Sequence, residues 1–160
     1  MDKRSKAIYY AQRQVINHSI YVWSGQGQKL LKTLAIKIAE METSTANVAV
    51  VMQFIFANLK NFNKKTKIFD CSGLIICALI YAGVLKKGFD TTADGLKNMF
   101  PAVSAAQAGD LVFKVDSSGK AYHVGILQDV NTVIECKGRA YGVVYSKYTN
   151  DWNYAARPDY

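Results

Sequence analysis

The chain has 160 residues, half of them hydrophobic and a fifth charged. That balance suits one domain with a real core and excludes a disordered chain, a linker or a repeat array. The net charge of +8 points to a polyanionic partner or environment, and nucleic acid, anionic membrane and anionic cell-wall polymer all fit it.

The first residues, MDKRSK, run straight into an amphipathic pattern without an apolar signal segment, so the chain as written carries no export signal of its own. Ile8, Ala11 and Val15 recur at helical spacing and predict a first helix over 4–17, broken by Asn17-His18-Ser19. The stretch IYVWSGQGQ follows, and its two glycines predict a loop. A second helix is expected from Lys29 to Met41, with Leu31, Leu34, Ile38 and Met41 on one face. Thr43 and Ser44 can cap a third, whose buried stripe is Val48, Val51, Met52, Ile55 and Leu59. The polar stretch Lys60–Lys67 ends that hairpin.

From Cys71 to about Leu85 the pattern is apolar almost all round, which predicts a central buried helix ended by Gly83 or Gly88. Neither this run nor Val48–Leu59 reaches the roughly 20 residues needed to span a bilayer. Beyond Pro101 the period changes to two: DLVFKV, AYHVGILQ, TVIECK and GVVYSK read as short strands separated by turn residues. Helices first and an antiparallel meander second predict an α+β domain with the central helix on one sheet face.

The cysteines are Cys71, Cys77 and Cys136, and the histidines His18 and His123. No CxxC is present, so neither a zinc site nor a disulfide framework is expected. Cys77, mid-helix among Ile75, Ile76 and Leu79, reads as core. Cys71 differs, because Asp70 is a good N-cap that places it in the first turn, where the helix dipole favours a thiolate. Lowering a thiol from a pKa of about 8.5 to about 6 needs roughly 3.4 kcal/mol. A helix terminus supplies at most about 2 kcal/mol. A second positive group is required, and a histidine is the natural one.

His123 shares a strand face with Gly125, which leaves space beside the imidazole, and Leu127. A hairpin centred on Asp129 sets His123 opposite Glu135; centring on Val130 makes Glu135 a diagonal neighbour on the same face. A half-residue shift brings Cys136 opposite instead. A carboxylate beside a histidine fixes its tautomer and stabilises the imidazolium. His18, after a helix end in a polar stretch, suits a surface or C-terminal capping role.

These pieces stand in a known order. YVWSGQG (Tyr21–Gly27), FDCSGL (Phe69–Leu74), AGDLVF (Ala108–Phe113), HVGIL (His123–Leu127) and VIECKGRAYGVV (Val133–Val144) resemble the NlpC-type cell-wall cysteine peptidases over nearly the whole chain. The pattern looks most like the endolysin versions of phage and mobile elements of Gram-positive bacteria. The resemblance implies a papain-like α+β fold in a single domain over 1–160. It implies Cys71 as nucleophile, His123 as general base and Glu135 as the third polar group that orients the histidine. Tyr21 corresponds to a tyrosine whose hydroxyl sits near the nucleophile, and Asp70 and Ser72 to residues that flank the cleft and bind a stem-peptide amine. The implied reaction is cleavage of peptidoglycan stem peptides, often between D-γ-glutamate and the diamino acid, by a monomer without metal or cofactor.

Three departures from the family pattern stand out. Glu135 occupies a position more usually His, Asn or Gln, and Ser24 one where glycine is usual. Residues 28–67 separate two motifs that many relatives join by a short loop, and they read as an inserted helical hairpin on the cleft rim. The alternatives to a hydrolase are a catalytically silent wall-binding module and a cysteine acyltransferase. A specific nucleic-acid binder ranks last, because the basic residues are scattered and no recognition helix or stacking motif stands out. Anionic wall polymers would then be attracted in a salt-dependent way. With no signal segment, the protein reaches the wall after release by a lytic partner or as one domain of a longer secreted chain.

Overall fold

In the structure, a computed structural model that describes residues 1–33 and 35–160, helices pack on one face of an antiparallel sheet. Helix α1 (Lys3–Ile16) starts where the Asp2 carboxylate accepts the Ser5 N–H at 2.7 Å. Its buried face is Ala7, Ala11 and Gln14, with Ile8 and Val15 half-buried beside it. Alanines there allow α1 to lie close against the central helix α4.

The stretch expected to be a loop instead contributes two strands. β1 (Ile20–Tyr21) runs parallel to β3 (Lys67–Phe69), and β2 (Gln26–Lys29) pairs antiparallel on β3's other edge. Each is too short for an alternating pattern to register; what makes them strands is a partner distant in sequence.

Between β2 and β3 stands a helical hairpin. The second helix is shorter than expected. Leu30–Lys32 forms one 3-10 turn, ended where the Thr33 hydroxyl bonds the Lys29 carbonyl at 2.9 Å. α2 covers Ala35–Met41; Leu34, expected on its inner face, lies outside the described residues. α3 (Thr45–Asn58) is capped by Ser44 as expected, yet of its predicted stripe only Val51 is buried. Leu59, in the following 3-10 turn, is 58% exposed, because the hairpin lays one ridge on the small core of Ile20, Val22, Leu30, Ile38 and Ile68 and leaves its other side open.

α4 (Cys71–Ala82) is the buried central helix. Asp70 caps it, accepting the Gly73 N–H at 2.6 Å, and Gly83 ends it in the left-handed region at φ 75°, where a side chain would be strained. Cys77 departs from its expected core position: it is half-buried, on the side of α4 that opens between Tyr10 and Tyr81. α5 (Ala93–Met99), capped by Thr92, was not foreseen.

β4 (Leu111–Val115), β5 (Ala121–Asp129), β6 (Thr132–Gly138) and β7 (Gly142–Lys147) form the expected meander. A further strand, β8 (Tyr154–Ala156), joins β4's free edge, giving the order β7-β6-β5-β4-β8. One sheet face packs Leu111, Phe113, Val124, Ile126 and Ile134 against α1, α4 and α5. The other carries Val112, Leu127, Val133, Trp152 and Ala155. Buried Asp110 holds the C-terminal segment, receiving two 2.8 Å bonds from Arg157. Among the described residues no helix is long and apolar enough to cross a membrane.

Gly73 sits so close to the loop before β2 that a Cβ would overlap the Gly25 carbonyl oxygen. Gly73→Ala is expected to cost about 1–3 kcal/mol as loop and helix are pushed apart. The shift in urea-unfolding midpoint measures it.

Candidate active site

The start of α4, the ends of β5 and β6 and the YVWSG loop enclose a cleft of about 630 Å³. Cys71, His123, Tyr21, Asp70 and Ser72 all line it, so five of the six residues singled out from sequence meet in one place. The sixth, Glu135, lies behind the histidine.

Cys71 is the first residue of α4 and half-buried. Burial pushes its thiol up to about 11, the Asp70 carboxylate adds to this, and backbone N–H groups of Ser72 and Val124 act the other way. The helix start therefore does not hold a thiolate by itself, as the small size of the terminal effect foretold.

The β5–β6 register pairs Gly125 with Glu135 and Ile126 with Ile134, a hairpin centred on Val130. Glu135 is thus diagonal to His123 on the same face, and His123 Nε2–H donates to Glu135 Oε2 at 2.6 Å. The alternative that set Cys136 opposite the histidine does not occur. Cys136 faces the other way, fully buried, with Sγ 3.4 Å from the Phe69 carbonyl. Nor does Gly125 leave open space beside the imidazole. A Cβ there would overlap Val133 and reach Trp152 Cη2 at 3.2 Å, and the Trp152 ring lies against His123 with centroids 5.5 Å apart. With Nε2 committed to Glu135, Nδ1 is the nitrogen left for proton transfer.

Glu135 is 2% exposed. Burial raises its carboxyl pKa, but hydrogen bonds from His123 and Ser146, and the charges of His123 and Lys114, outweigh this and hold it below the ordinary range.

Asp70 spends Oδ1 on the Gly73 N–H and on the Ser72 hydroxyl at 3.2 Å, and burial raises its pKa. Tyr21 is buried, which pushes its phenol upward, and the Arg139 guanidinium lies over its ring at 5.2 Å. Ser24 adopts φ 60°, in the left-handed region that favours glycine. His18 is exposed in a left-handed turn after α1, its N–H on the Val15 carbonyl, as the capping reading expected.

Sequence reasoning missed Glu42. It sits at the end of α2, its side chain fully buried; Oε1 accepts the Trp23 N–H at 2.9 Å, and Oε2 accepts Arg139 Nε and Nη2 at 2.9 and 2.7 Å. The hairpin thereby braces two cleft walls, the loop of Tyr21 and Trp23 and the β6–β7 turn. Glu42 and Arg139 are 97 residues apart, and no local pattern joins them. Asp90, bonded by the Gln26 amide at 2.7 Å, and Lys137 also line the cleft unforeseen. For Trp152 the only available signal was a bulky aromatic beyond the last predicted strand. Among the described residues no group of three or more His, Cys, Asp or Glu could hold a metal ion.

The NlpC/P60 family profile matches residues 60–157, and the chain belongs to that family. Most of its members are cysteine peptidases of peptidoglycan that act at the bacterial cell wall, and some members are non-catalytic. Among solved structures, the fold resembles the P60 domain of a Mycobacterium avium subspecies paratuberculosis antigen (TM-score 0.61, 20% identity, 98% of each chain covered). It also resembles RipD of Mycobacterium tuberculosis, described as a non-catalytic NlpC/p60 protein adapted to peptidoglycan binding (TM-score 0.62, 18% identity, 98% of each). The peptidoglycan hydrolase RipB of the same organism is a third (TM-score 0.60, 20% identity, 98% of this chain and 67% of that one). No curated protein sequence matches the chain.

Two outcomes follow from this geometry. Because the Glu135 carboxyl is depressed in the folded state, its contribution to stability is complete above its ordinary value of 4.5 and is lost as pH falls below it. Glu135→Gln should flatten that acid limb of a melting-temperature profile. Glu42→Ala should cost about 3 kcal/mol in chemical denaturation, since it strands a partly buried N–H and a mostly buried guanidinium, and Glu42→Gln should cost less.

Proposed function

We propose that the protein is a peptidoglycan endopeptidase that hydrolyses a stem-peptide amide through a Cys71 thioester, at a D-γ-glutamyl–diamino acid bond. The observation that carries the reading is the opening of Cys71, at a helix start, and His123, backed by Glu135, onto one cleft. His123 takes the thiol proton at Nδ1 while Glu135 stabilises the imidazolium through Nε2. The sulfur attacks the scissile carbonyl, and the oxyanion is met by the Cys71 backbone N–H at the helix start and by the Tyr21 hydroxyl. His123 returns the proton to the departing amine, and water, deprotonated by the same imidazole, releases the acid and restores the thiol. Burial that raises the Cys71 thiol fits a general-base mechanism, with the proton leaving as the carbonyl is attacked.

Asp70 and Ser72 bind the free amine of the stem peptide at one end of the cleft. The steps call on no metal or cofactor. We read residues 28–67 as an insertion within one domain that acts as a monomer, and anionic wall polymers as one partner of the chain's positive charge. A lysin of phage or mobile-element type, freed by a lytic partner or carried in a longer secreted chain, fits the motifs.

The likeness to RipD and the protonated resting thiol favour one second reading, a wall-binding module without catalysis. Mass spectrometry of soluble products from Gram-positive peptidoglycan separates the two. Wild type should release peptides whose termini name the bond, and Cys71→Ala should lose about 10³-fold or more in rate. Equal release by Cys71→Ala would end the cysteine mechanism. Wall binding with no release by either protein would establish the binding module.

A further inference from the structure

The hairpin between β2 and β3 carries more apolar surface than its packing uses. α3 has no charged residue in its 14 positions, yet only Val51 is buried. Met52, Ile55, Phe56 and Leu59 stand at the spacing of one helical stripe, and Phe56 and Leu59 are each more than half exposed. Met52, Ile55 and Leu59 meet Leu31, also more than half exposed, across a groove of about 240 Å³ whose lining side chains are apolar except for Thr33. The charge of the molecule is concentrated around the same element. Residues 28–67 hold seven lysines and two glutamates, a net +5 of the chain's +8. One of those glutamates, Glu42, is already paired with Arg139. Lys60, Lys64 and Lys65 are exposed just beyond the end of α3, and Lys29 and Lys37, also exposed, adjoin the groove residues Leu30 and Ile38 in sequence, with the exposed Glu40 nearby.

We propose that this hairpin is a docking surface for an anionic phospholipid bilayer, with Leu31, Phe56 and Leu59 in the headgroup–acyl boundary and the surrounding lysines on lipid phosphates. Charge selects this occupant. A second copy of the chain would meet the patch through a two-fold axis, setting lysines against lysines. Protein interfaces are depleted in lysine, whereas at a bilayer surface a lysine lays its aliphatic stem along the apolar layer and keeps its ammonium among the phosphates. An uncharged apolar face bordered by cations of one sign is the pattern of an interfacial helix, one that lies on a membrane and does not cross it. The cleft lies beyond the Glu42–Arg139 brace, and the proposal does not depend on what reaction takes place there.

Flotation of the full chain with vesicles tests the proposal. Vesicles of equal parts phosphatidylglycerol and phosphatidylcholine should carry the protein up the gradient, and phosphatidylcholine alone should bind at least about tenfold less. The double variant Phe56→Ser/Leu59→Ser and the charge variant Lys64→Glu/Lys65→Glu should each lower binding to the anionic vesicles by about tenfold or more. Both alter exposed positions, and unchanged circular dichroism would show that they fold. Phe56→Trp supplies an independent readout, a blue shift of emission on anionic vesicles. No flotation above the phosphatidylcholine control, or binding that both variants retain, would overturn the assignment. So would a dimer in solution that Phe56→Ser/Leu59→Ser dissolves, which would give the face to a second copy.

Discussion

The carbonyl oxygen of Gly25 accepts the Asp70 N–H at 3.0 Å, and the Cα of Gly73 lies so close to it that no side chain fits between. With the pairing of Tyr21 beside Phe69 and the Val22 N–H on the Phe69 carbonyl, this contact gives the loop that carries Tyr21 and the helix that carries Cys71 a fixed relation. Asp70 serves twice there, its backbone tied to the loop and its side chain closing the first turn of α4. The burial that follows from such close packing is also what drives the Cys71 thiol upward. The closeness that sets the geometry of the cleft thus also sets its electrostatics.

Three buried carboxylates perform comparable work elsewhere. Asp110 fastens the C-terminal segment through Arg157, Glu135 fastens the histidine, and Glu42 fastens two loops through Arg139 and Trp23. A buried ion pair contributes little net stability, but losing one partner is costly, so such pairs act as positional constraints more than as sources of stability. Asp110 and Glu42 each tie down an irregular segment where no backbone ladder is available to do so, whereas Glu135 acts within the β5–β6 ladder and fixes a side chain.

What the sequence made legible follows from interaction range. The caps Asp70 and Ser44, the glycine end of α4 and the alternation of β4 to β7 are local signals written within a few residues, and the structure carries all of them. β1, β3 and β8 are two or three residues long and exist only through distant partners, so no window along the chain contains their cause. The same holds for Glu42 with Arg139 and for Trp152 against His123. The register of Glu135 lay among three possibilities, two of which keep it on the histidine's face, and the bulge between Leu127 and Asp129 goes with the one observed. The burial of α3 was overestimated for a different reason: periodicity says which residues are apolar, not whether anything covers them.

The elevated thiols of this chain have a bearing on its chemical durability. Cys71 stands near 11, Cys77 is raised, and Cys136 is raised well above its usual value. At neutral pH the resting Cys71 is therefore held as the thiol. Peroxide and disulfide reagents react with the thiolate, so oxidation to the sulfenic acid and capture as a mixed disulfide are slowed, though less than in proportion, because a more basic thiolate is also the better nucleophile. A nucleophile that loses its proton only as substrate is attacked spends its idle time as a sulfur of low reactivity, and an oxidising medium consumes it correspondingly slowly.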